Sequence, residues 1–221
     1  KGYSFEFTRG CNATPHNFTF EGKVFPGTYR VRVSGASANY ADLPTTYQTL
    51  YDELKLTKAT SGIVLNVTTV PISGVVKLNG ASPQFGQYCK STTSSTYLRV
   101  RFEEVKKGYS FEFTRGCNST PHDFTFEGSV FPGTYRVRVS GASANYANLP
   151  TTYQTLYEEL KLSKATSGIL LNVTTVPVAG LVTLNGATPT FGQYCKSTTS
   201  STYMRVRFTE ATKGYSFEFT R

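Results

Sequence analysis

Cysteine and histidine carry the chemically most versatile side chains in this sequence, and they occur together twice. Four residues separate Cys11 from His16, and Cys117 and His122 repeat that spacing. A thiolate and an imidazole both bind Zn²⁺, but a structural zinc site needs four such ligands, and no second pair stands beside either of these. We therefore predict no metal site and interpret the histidines as solvated loop residues.

The four cysteines are better explained as disulfide partners, for which two patterns remain open. The first joins Cys89 to Cys117 and leaves Cys11 and Cys195 to pair with residues outside the given sequence or with a neighbouring chain. The second joins Cys11 to Cys89 and Cys117 to Cys195. Either pattern indicates an oxidising environment, so we predict an extracellular or cell-surface location.

A hairpin expected near the middle of the chain favours the first pattern. If residues 98–102 pair with residues 109–113, Cys117 lies beside the residues just before Tyr97, where the loop that begins at Cys89 arrives. The two sulfur atoms then meet. Such a bond closes a loop of about 28 residues and stabilises the fold by roughly 3 to 4 kcal/mol, because it lowers the entropy of the unfolded chain.

No combination of residues predicts catalysis or a cofactor site. Nucleophilic catalysis needs a nucleophile, a base and an orienting group within hydrogen-bond reach. The chain has only two histidines, and it lacks a nucleophile elbow, a phosphate-binding loop and a metalloprotease motif. We predict that the protein is not an enzyme.

A basic and aromatic surface is the remaining candidate for ligand binding. Tyrosines near outward-pointing arginines can stack on sugars or bind anionic groups. The candidate residues are Arg30, Arg32, Arg99, Arg101, Tyr40, Tyr47 and Tyr51. The ligand would be a surface glycan or an anionic polymer such as lipopolysaccharide or an acidic polysaccharide. The alternative assigns the arginines to cross-strand ion pairs with residues such as Glu6, and the tyrosines to packing at domain junctions or edge strands.

Five asparagines lie in Asn-x-Ser/Thr sequons, which are glycan acceptors in a secreted eukaryotic protein. They are Asn12, Asn17, Asn66, Asn118 and Asn172. Threonine and serine are abundant in this sequence, so chance explains several of the sequons, and a bacterial origin would leave them unmodified.

All of these residues lie within a long internal repeat. The segment Lys1–Arg9 recurs at Lys107 and again at Lys213, which sets a period of 106 residues. Residues 1–106 and 107–212 differ at 17 positions, nearly all by mild substitutions. This period exceeds that of solenoids and propellers, so each repeat is expected to be a self-sufficient domain in a tandem array.

Alternating apolar and polar residues predict the elements of each repeat. Strands are predicted at 3–7, 18–20, 29–33, 63–67, 75–78 and 98–102, with turns at Pro26-Gly27, Ser34-Gly35 and Asn79-Gly80. The segment 46–55 fits either a helical face or a strand and stays open. About seven short strands without long helices predict an all-β fold of tandem antiparallel β-sandwich domains.

Domain boundaries are predicted just before Val70-Pro71 and its copy, because proline suits the entry to a domain better than a central strand. One complete domain then runs from 68 to 173. Residues 1–67 form the C-terminal part of a preceding domain, and residues 174–221 form the N-terminal part of a following one. We expect a window of a longer array; the alternative is a chain that polymerises end to end, so that neighbouring copies complete each other's domains.

Two motifs of the predicted complete domain resemble the carboxypeptidase regulatory-like family. Val70–Gly80 ends in an Asn-Gly turn, and Phe124–Val139 contains a Pro-Gly-Thr-Tyr sequence that begins a strand with Tyr135 as its core anchor. The resemblance covers most of the repeat. It implies an Ig-like or transthyretin-like β-sandwich that is noncatalytic and is often strung along bacterial secreted or cell-surface proteins.

Composition and charge agree with a folded extracellular repeat protein. The sequence is 38% hydrophobic and 17% charged, and no apolar run is long enough to cross a bilayer. The net charge of +9 is spread along the chain, so we predict a basic surface rather than a nucleic-acid site. We expect a noncatalytic structural protein of an extracellular fibre, filament or surface stalk, whose partners are adjacent copies of the repeat. The alternative is an adhesin-type module that binds a glycan or an anionic polymer.

Overall fold

The computed structural model describes residues 3–37, 39–195 and 201–221, and within these ranges it contains strands, turns and loops but no helix. No segment of this described part is therefore a helix that could cross a bilayer. The strands are β1 (Gly27–Val33), β2 (Gln48–Leu56), β3 (Val70–Leu78), β4 (Thr96–Glu104), β5 (Ser110–Gly116), β6 (Thr125–Val130), β7 (Gly133–Gly141), β8 (Gln154–Leu162), β9 (Thr166–Val173), β10 (Arg205–Thr209) and β11 (Ser216–Thr220). The chain is all-β, as the alternating sequence pattern predicts.

Two larger sheets share one hydrophobic core. A four-stranded antiparallel sheet has the order β5-β4-β7-β8, and a three-stranded sheet has the order β6-β3-β9. Two separate antiparallel hairpins, β1-β2 and β10-β11, lie outside these sheets. The buried hydrophobic residues of the described chain all lie between Val70 and Val173.

The three-stranded sheet is mixed, which corrects the prediction of purely antiparallel pairing. Its central strand β3 is antiparallel to β6 but parallel to β9. Parallel neighbours need a long crossover connection, and here that connection contains the five strands β4 to β8. The period-two pattern of a strand does not encode the direction of its neighbour, so this pairing could not be predicted from the alternation.

Aromatic rings fill the space between the two sheets. Phe102 of β4 is fully buried, and its ring centroid lies 5.8 Å from that of Phe126 on the opposite sheet. Phe131 receives edge-to-face contacts from Tyr109 and Phe111 at 5.1 and 5.0 Å. Such contacts stabilise the packing beyond the area that the rings bury.

Two buried tyrosines make the core sensitive to alkaline pH. Burial raises the pKa of Tyr97 to about 12 and raises that of Tyr135 further. The neutral phenol is therefore favoured in the folded state, and this stabilisation is complete below the unfolded-state pKa near 10 and is lost as the pH rises through the folded-state value. We expect unfolding at alkaline pH to coincide with ionisation of these two tyrosines, which can be followed by phenolate absorbance and circular dichroism. Their ionisation while the circular dichroism is still native would contradict this.

Identical sequences adopt different structures in different parts of the chain. The sequence Ser-Phe-Glu-Phe-Thr-Arg-Gly forms strand β5 at 110–116, where it pairs with β4, but residues 4–10 with the same sequence form no strand. The predicted strands at 3–7, 18–20 and 63–67 are therefore wrong for the first copy, although their equivalents in the second copy lie in β5, β6 and β9. The reason is pairing, because the second-copy segments pair with β4 and β3, whereas no described strand pairs with the first-copy segments.

The segment that the sequence left open between helix and strand is a strand in both copies. It forms β2 in the first copy and β8 in the second, each paired to the preceding strand with a shifted register. Its helix-like spacing of apolar residues arises because these shifts are β-bulges, which disturb the strict alternation of a strand.

Candidate functional site

The outer face of the four-stranded sheet carries a cluster of charged residues at its centre. On β4, Arg101 lies opposite Glu112 of β5 on one side and opposite Arg138 of β7 on the other. Two arginines directly opposite each other repel, so carboxylates must lie close to both. Glu112 Oε2 accepts a hydrogen bond of 2.7 Å from Arg101 Nη2, and Glu103 forms an ion pair with Arg138.

Tyr153 covers this cluster. The Arg101 and Arg138 guanidinium carbons lie 5.0 and 5.6 Å from the centre of its ring, within the range of cation–π attraction. The Tyr153 hydroxyl donates a 2.8 Å hydrogen bond to Glu112 Oε2. Burial would raise the pKa of Glu112, but the hydrogen bonds from Tyr153 and Arg101 outweigh it and hold that pKa below its usual value. The carboxylate is thus committed to intramolecular partners.

The predicted ligand-binding residues lie in two parts of the chain, β4 and the segment that contains β1 and β2. Arg101 belongs to the cluster under Tyr153, and Arg99 is exposed on the same strand β4. The other five lie between residues 30 and 51, where Arg30 on β1 reaches Asp52 on β2 at 3.6 Å and Arg32 stacks over Tyr47 at 5.3 Å. Tyr40 and Tyr51 are both exposed. Arg101 fits the alternative given above, which assigns the arginines to cross-strand ion pairs. Its partner Glu112 stands at the position in the second copy that Glu6 occupies in the first.

All five sequon asparagines are exposed, and two of them have structural hydrogen bonds. Asn17 Oδ1 accepts from Arg9 Nη2 and from both the backbone N–H and the hydroxyl of Thr19, and Asn172 Oδ1 accepts from the backbone N–H of Gly80. The second copy has Asp123 at the position of Asn17, and its carboxylate bonds Thr125 in the same way. The oxygen of Asn17 therefore has a structural role that does not depend on a glycan.

The disulfide is the one predicted by the hairpin argument. Cys89 and Cys117 are bonded and buried, with their Cα atoms 5.1 Å apart and a sequence separation of 28. The strands β4 and β5 form the expected hairpin, and the Cys117 N–H donates to the Ser95 carbonyl, just before Tyr97. Cys11 and Cys195 are free.

The disulfide also removes the thiol from one of the two Cys–His pairs that were considered as metal ligands. Cys117 is oxidised, so it offers no thiolate to join His122, whose ring instead stacks on Phe85 with centroids 3.9 Å apart. Among residues 3–37, 39–195 and 201–221, no group of three histidines, cysteines or acids is close enough to hold a metal ion.

A second candidate surface lies where one sequence repeat meets the next, and we call its contacts the junction. The Thr49 N–H donates a 3.1 Å hydrogen bond to the Tyr109 hydroxyl, and Thr46 Oγ1 donates one of 3.0 Å to the Ser110 carbonyl. Gln48 also holds the connecting segment, since its Oε1 accepts from the Thr68 N–H at 3.1 Å. The edge of β2 thereby contacts the beginning of β5.

The same junction occurs again 106 residues later. Thr155 N–H donates to the Tyr215 hydroxyl at 3.0 Å, and Thr152 Oγ1 donates to the Ser216 carbonyl at 2.8 Å. Gln154 Oε1 accepts from the Thr174 N–H at 3.0 Å, as Gln48 does from Thr68. Each contact of the first junction thus has a counterpart at the equivalent position.

A shallow cavity of about 430 Å³ lies beside the first junction. It is lined on one side by residues 42–46 and on the other by residues 110–113, with Thr69 and Ser129 between them. It is open to solvent and contains no cluster of metal ligands within the described chain.

The sequence did not reveal the junction residues. The ring of Tyr109 is buried in the core, but its hydroxyl reaches the preceding repeat. The alternative interpretation, in which tyrosines pack at domain junctions, concerned Tyr40, Tyr47 and Tyr51 instead. A hydrogen bond between residues 60 positions apart has no local pattern in a sequence, so it is visible only in the folded structure.

We expect Tyr109→Phe to weaken the junction without disturbing the core, because it removes the hydroxyl and keeps the ring. Loss of one hydrogen bond costs about 0.5 to 1.5 kcal/mol, so the amide of Thr49 should exchange its hydrogen about 2 to 12 times faster. Tyr215→Phe should accelerate Thr155 instead and leave Thr49 unchanged. Tyr3→Phe is the matched control, because Tyr3 has the same sequence context but its hydroxyl forms no hydrogen bond with the described residues. If the amides of Thr49 and Thr155 exchange at the same rates in all three variants, the junction contacts are not formed in solution.

Comparison with protein-family models, with curated proteins and with solved structures finds no match for this chain.

Proposed function

We propose that the protein is a noncatalytic structural protein of an extracellular fibre, filament or surface stalk, built from tandem β-sandwich units. The observation that carries this proposal is the recurrence of the junction, with the same three kinds of contact at two places 106 residues apart. A joint that repeats with the sequence period lets each unit meet the next in the same way. The partners are therefore adjacent copies of the repeat.

The proposed unit is residues 68–173, a β-sandwich of the seven strands β3 to β9. All the buried hydrophobic residues of the described chain fall within it, which supports these boundaries. By sequence, residues 1–67 correspond to its C-terminal part and residues 174–221 to its N-terminal part. We assign them to a preceding and a following unit.

The resemblance to carboxypeptidase regulatory-like domains supports an Ig-like or transthyretin-like type for this unit. Asn79 and Gly80 have φ values of +52° and +83°, as an Asn-Gly hairpin turn requires. Pro132-Gly133 leads into β7, and the ring of Tyr135 is fully buried in that strand. These are the two motifs on which the resemblance depends.

An extracellular or cell-surface location is proposed from the disulfide, because such bonds persist in oxidising compartments. Immunoelectron microscopy with antibodies against the repeat tests this proposal on the cells that make the protein. Gold particles along surface filaments or stalks are the expected result. Labelling confined to the cell interior would contradict it.

A second candidate function is binding of a glycan or an anionic polymer by the basic residues. The net charge of +9 and the exposed Arg99, which has no carboxylate within ion-pair distance among the described residues, favour it. Binding of the 221-residue chain to a panel of glycans and acidic polysaccharides distinguishes the two functions. Binding that Arg99→Ala abolishes would support an adhesin-type role, and absence of binding across the panel would leave the structural role.

A further inference from the structure

The first and the last strand of the unit 68–173 are direct neighbours and run in the same direction. β3 pairs in parallel with β9 from Gly74 opposite Ile169 to Leu78 opposite Val173. The chain enters the unit at the beginning of β3, at Val70, and leaves it at the end of β9. The two strands that connect the unit to its neighbours are therefore hydrogen-bonded to each other.

This arrangement fixes how tension along the chain acts on the unit. A pull from both sides draws β3 toward its first residue and β9 toward its last residue, so the two strands are forced to slide past each other. The hydrogen bonds between strands lie across the direction of this sliding, and all of them share the load. A hairpin such as β10-β11 behaves differently, because its two ends lie side by side and a pull opens its bonds one at a time.

Four further hydrogen bonds fasten the end of β9 to the turn that follows β3, and we call them the latch. The Asn79 N–H donates to the Val173 carbonyl at 2.8 Å, and the Gly80 N–H donates to Asn172 Oδ1 at 2.8 Å. Thr175 N–H donates to Asn79 Oδ1 at 2.8 Å, and Asn79 Nδ2 donates to Thr175 Oγ1 at 3.0 Å. The latch holds the chain at the point where it leaves the unit.

The same sliding would also open the hydrophobic core. β3 buries Ile72 and Val76, and β9 buries Ile169, Leu171 and Val173, in one cluster. Displacing either strand along its axis withdraws these side chains from their partners and exposes apolar surface to water. Hydrogen bonds and core packing therefore resist the same motion.

We propose that the parallel pair β3-β9, together with the latch, is a clamp that bears tension transmitted through the chain by neighbouring repeats. The source of that tension rests on the proposed function, whereas the resistance itself is a property of the unit 68–173.

The disulfide limits how far the chain lengthens once the clamp has failed. Cys89 and Cys117 both lie between β3 and β9 in the sequence, and the segment that they close includes β4 and β5. This closed segment cannot extend while the bond is intact. The 28 positions from Cys89 to Cys117 correspond to roughly 100 Å of extended chain, so that length appears only after reduction.

Single-molecule force spectroscopy of the 221-residue chain, held at its two ends and produced in a host that adds no glycans, tests the proposal. We expect one abrupt rupture at high force whose length gain increases by roughly 100 Å in a reducing buffer, which assigns the event to the unit 68–173. Gradual lengthening of that unit at forces no higher than those that open the β10-β11 hairpin would overturn the proposal.

A matched pair of variants tests the latch. Asn172→Ala removes the oxygen that accepts from Gly80, and rupture at a fixed force should become about 2 to 12 times faster because one hydrogen bond is lost. Asn66→Ala makes the same change at the equivalent position of the first copy, where the side chain accepts no hydrogen bond from the described residues, and it should leave the rupture rate of the unit 68–173 unchanged. Equal rates for Asn172→Ala and the unaltered chain would show that the latch bears no load. If the unit resists force but antibodies locate the protein inside the cell, the proposed function is refuted and the clamp proposal stands.

Discussion

Phe102→Ala should destabilise the protein by about 3 to 5 kcal/mol, the usual cost of removing a fully buried aromatic ring. Phe102 is 0% exposed, and its ring lies within 6.1 Å of those of Phe113, Phe126 and Tyr135. The deletion therefore leaves a cavity between the two sheets. Urea unfolding, followed by the near-ultraviolet circular dichroism of the buried tyrosines, measures the effect.

The chain provides a control with the same residue in the same local sequence. Phe208 is the equivalent of Phe102 in the next copy, but it is 49% exposed, and among the described residues its ring has an aromatic neighbour only in Phe219, at 5.8 Å. Phe208→Ala should leave the main unfolding transition almost unchanged. If both substitutions shift that transition equally, the core does not lie where the burial pattern places it.

Removal of the disulfide should cost about 3 to 4 kcal/mol, because the bond closes a loop of 28 residues and restricts the unfolded chain. The double variant Cys89→Ala/Cys117→Ala tests this by urea unfolding in the absence of a reductant. The reduced, unaltered protein should unfold close to the double variant, since both lack the crosslink.

Cys11→Ala is the control for this prediction. Cys11 is the equivalent of Cys117 but is free and exposed, so its replacement should not change the free energy of unfolding of the unit 68–173. A stable unit in the double variant, with an unfolding midpoint equal to that of the oxidised protein, would show that the crosslink contributes nothing.

Local pattern predicted much of the fold. The alternation in 98–102 identified β4, and that in 29–33 identified β1 and its equivalent in the second copy, β7. The hairpin expected after Phe102 led to the correct disulfide. These features are encoded by neighbours in the sequence, through side-chain alternation and short turns. The turn at Asn79-Gly80 belongs to the same class.

What the sequence did not predict depends on partners far along the chain. The direction of β9 relative to β3, the hydroxyl of Tyr109 at the junction, and the cluster of Arg101, Arg138 and Glu112 under Tyr153 each bring together residues from separate strands. The failed strand predictions in the first copy have the same origin. Residues 4–10 have the alternation of a strand, but alternation describes which face is buried and not whether a partner is present.

The central position of β3 has a consequence for how an array of the proposed kind would fold. β3 needs both β6 and β9, so a unit cannot close until its last strand has been synthesised, and in the meantime its β3 can pair with strands of a nearly identical neighbour. Exchange of this kind is a characteristic error of repeat proteins. Four of the 17 differences between the copies fall in this nine-residue strand, where Ile72, Ser73, Val75 and Lys77 are replaced by Val178, Ala179, Leu181 and Thr183. Strand β3 is thus among the segments in which the two copies differ most. If neighbouring units exchanged this strand, each unit would have to accommodate side chains of the wrong size.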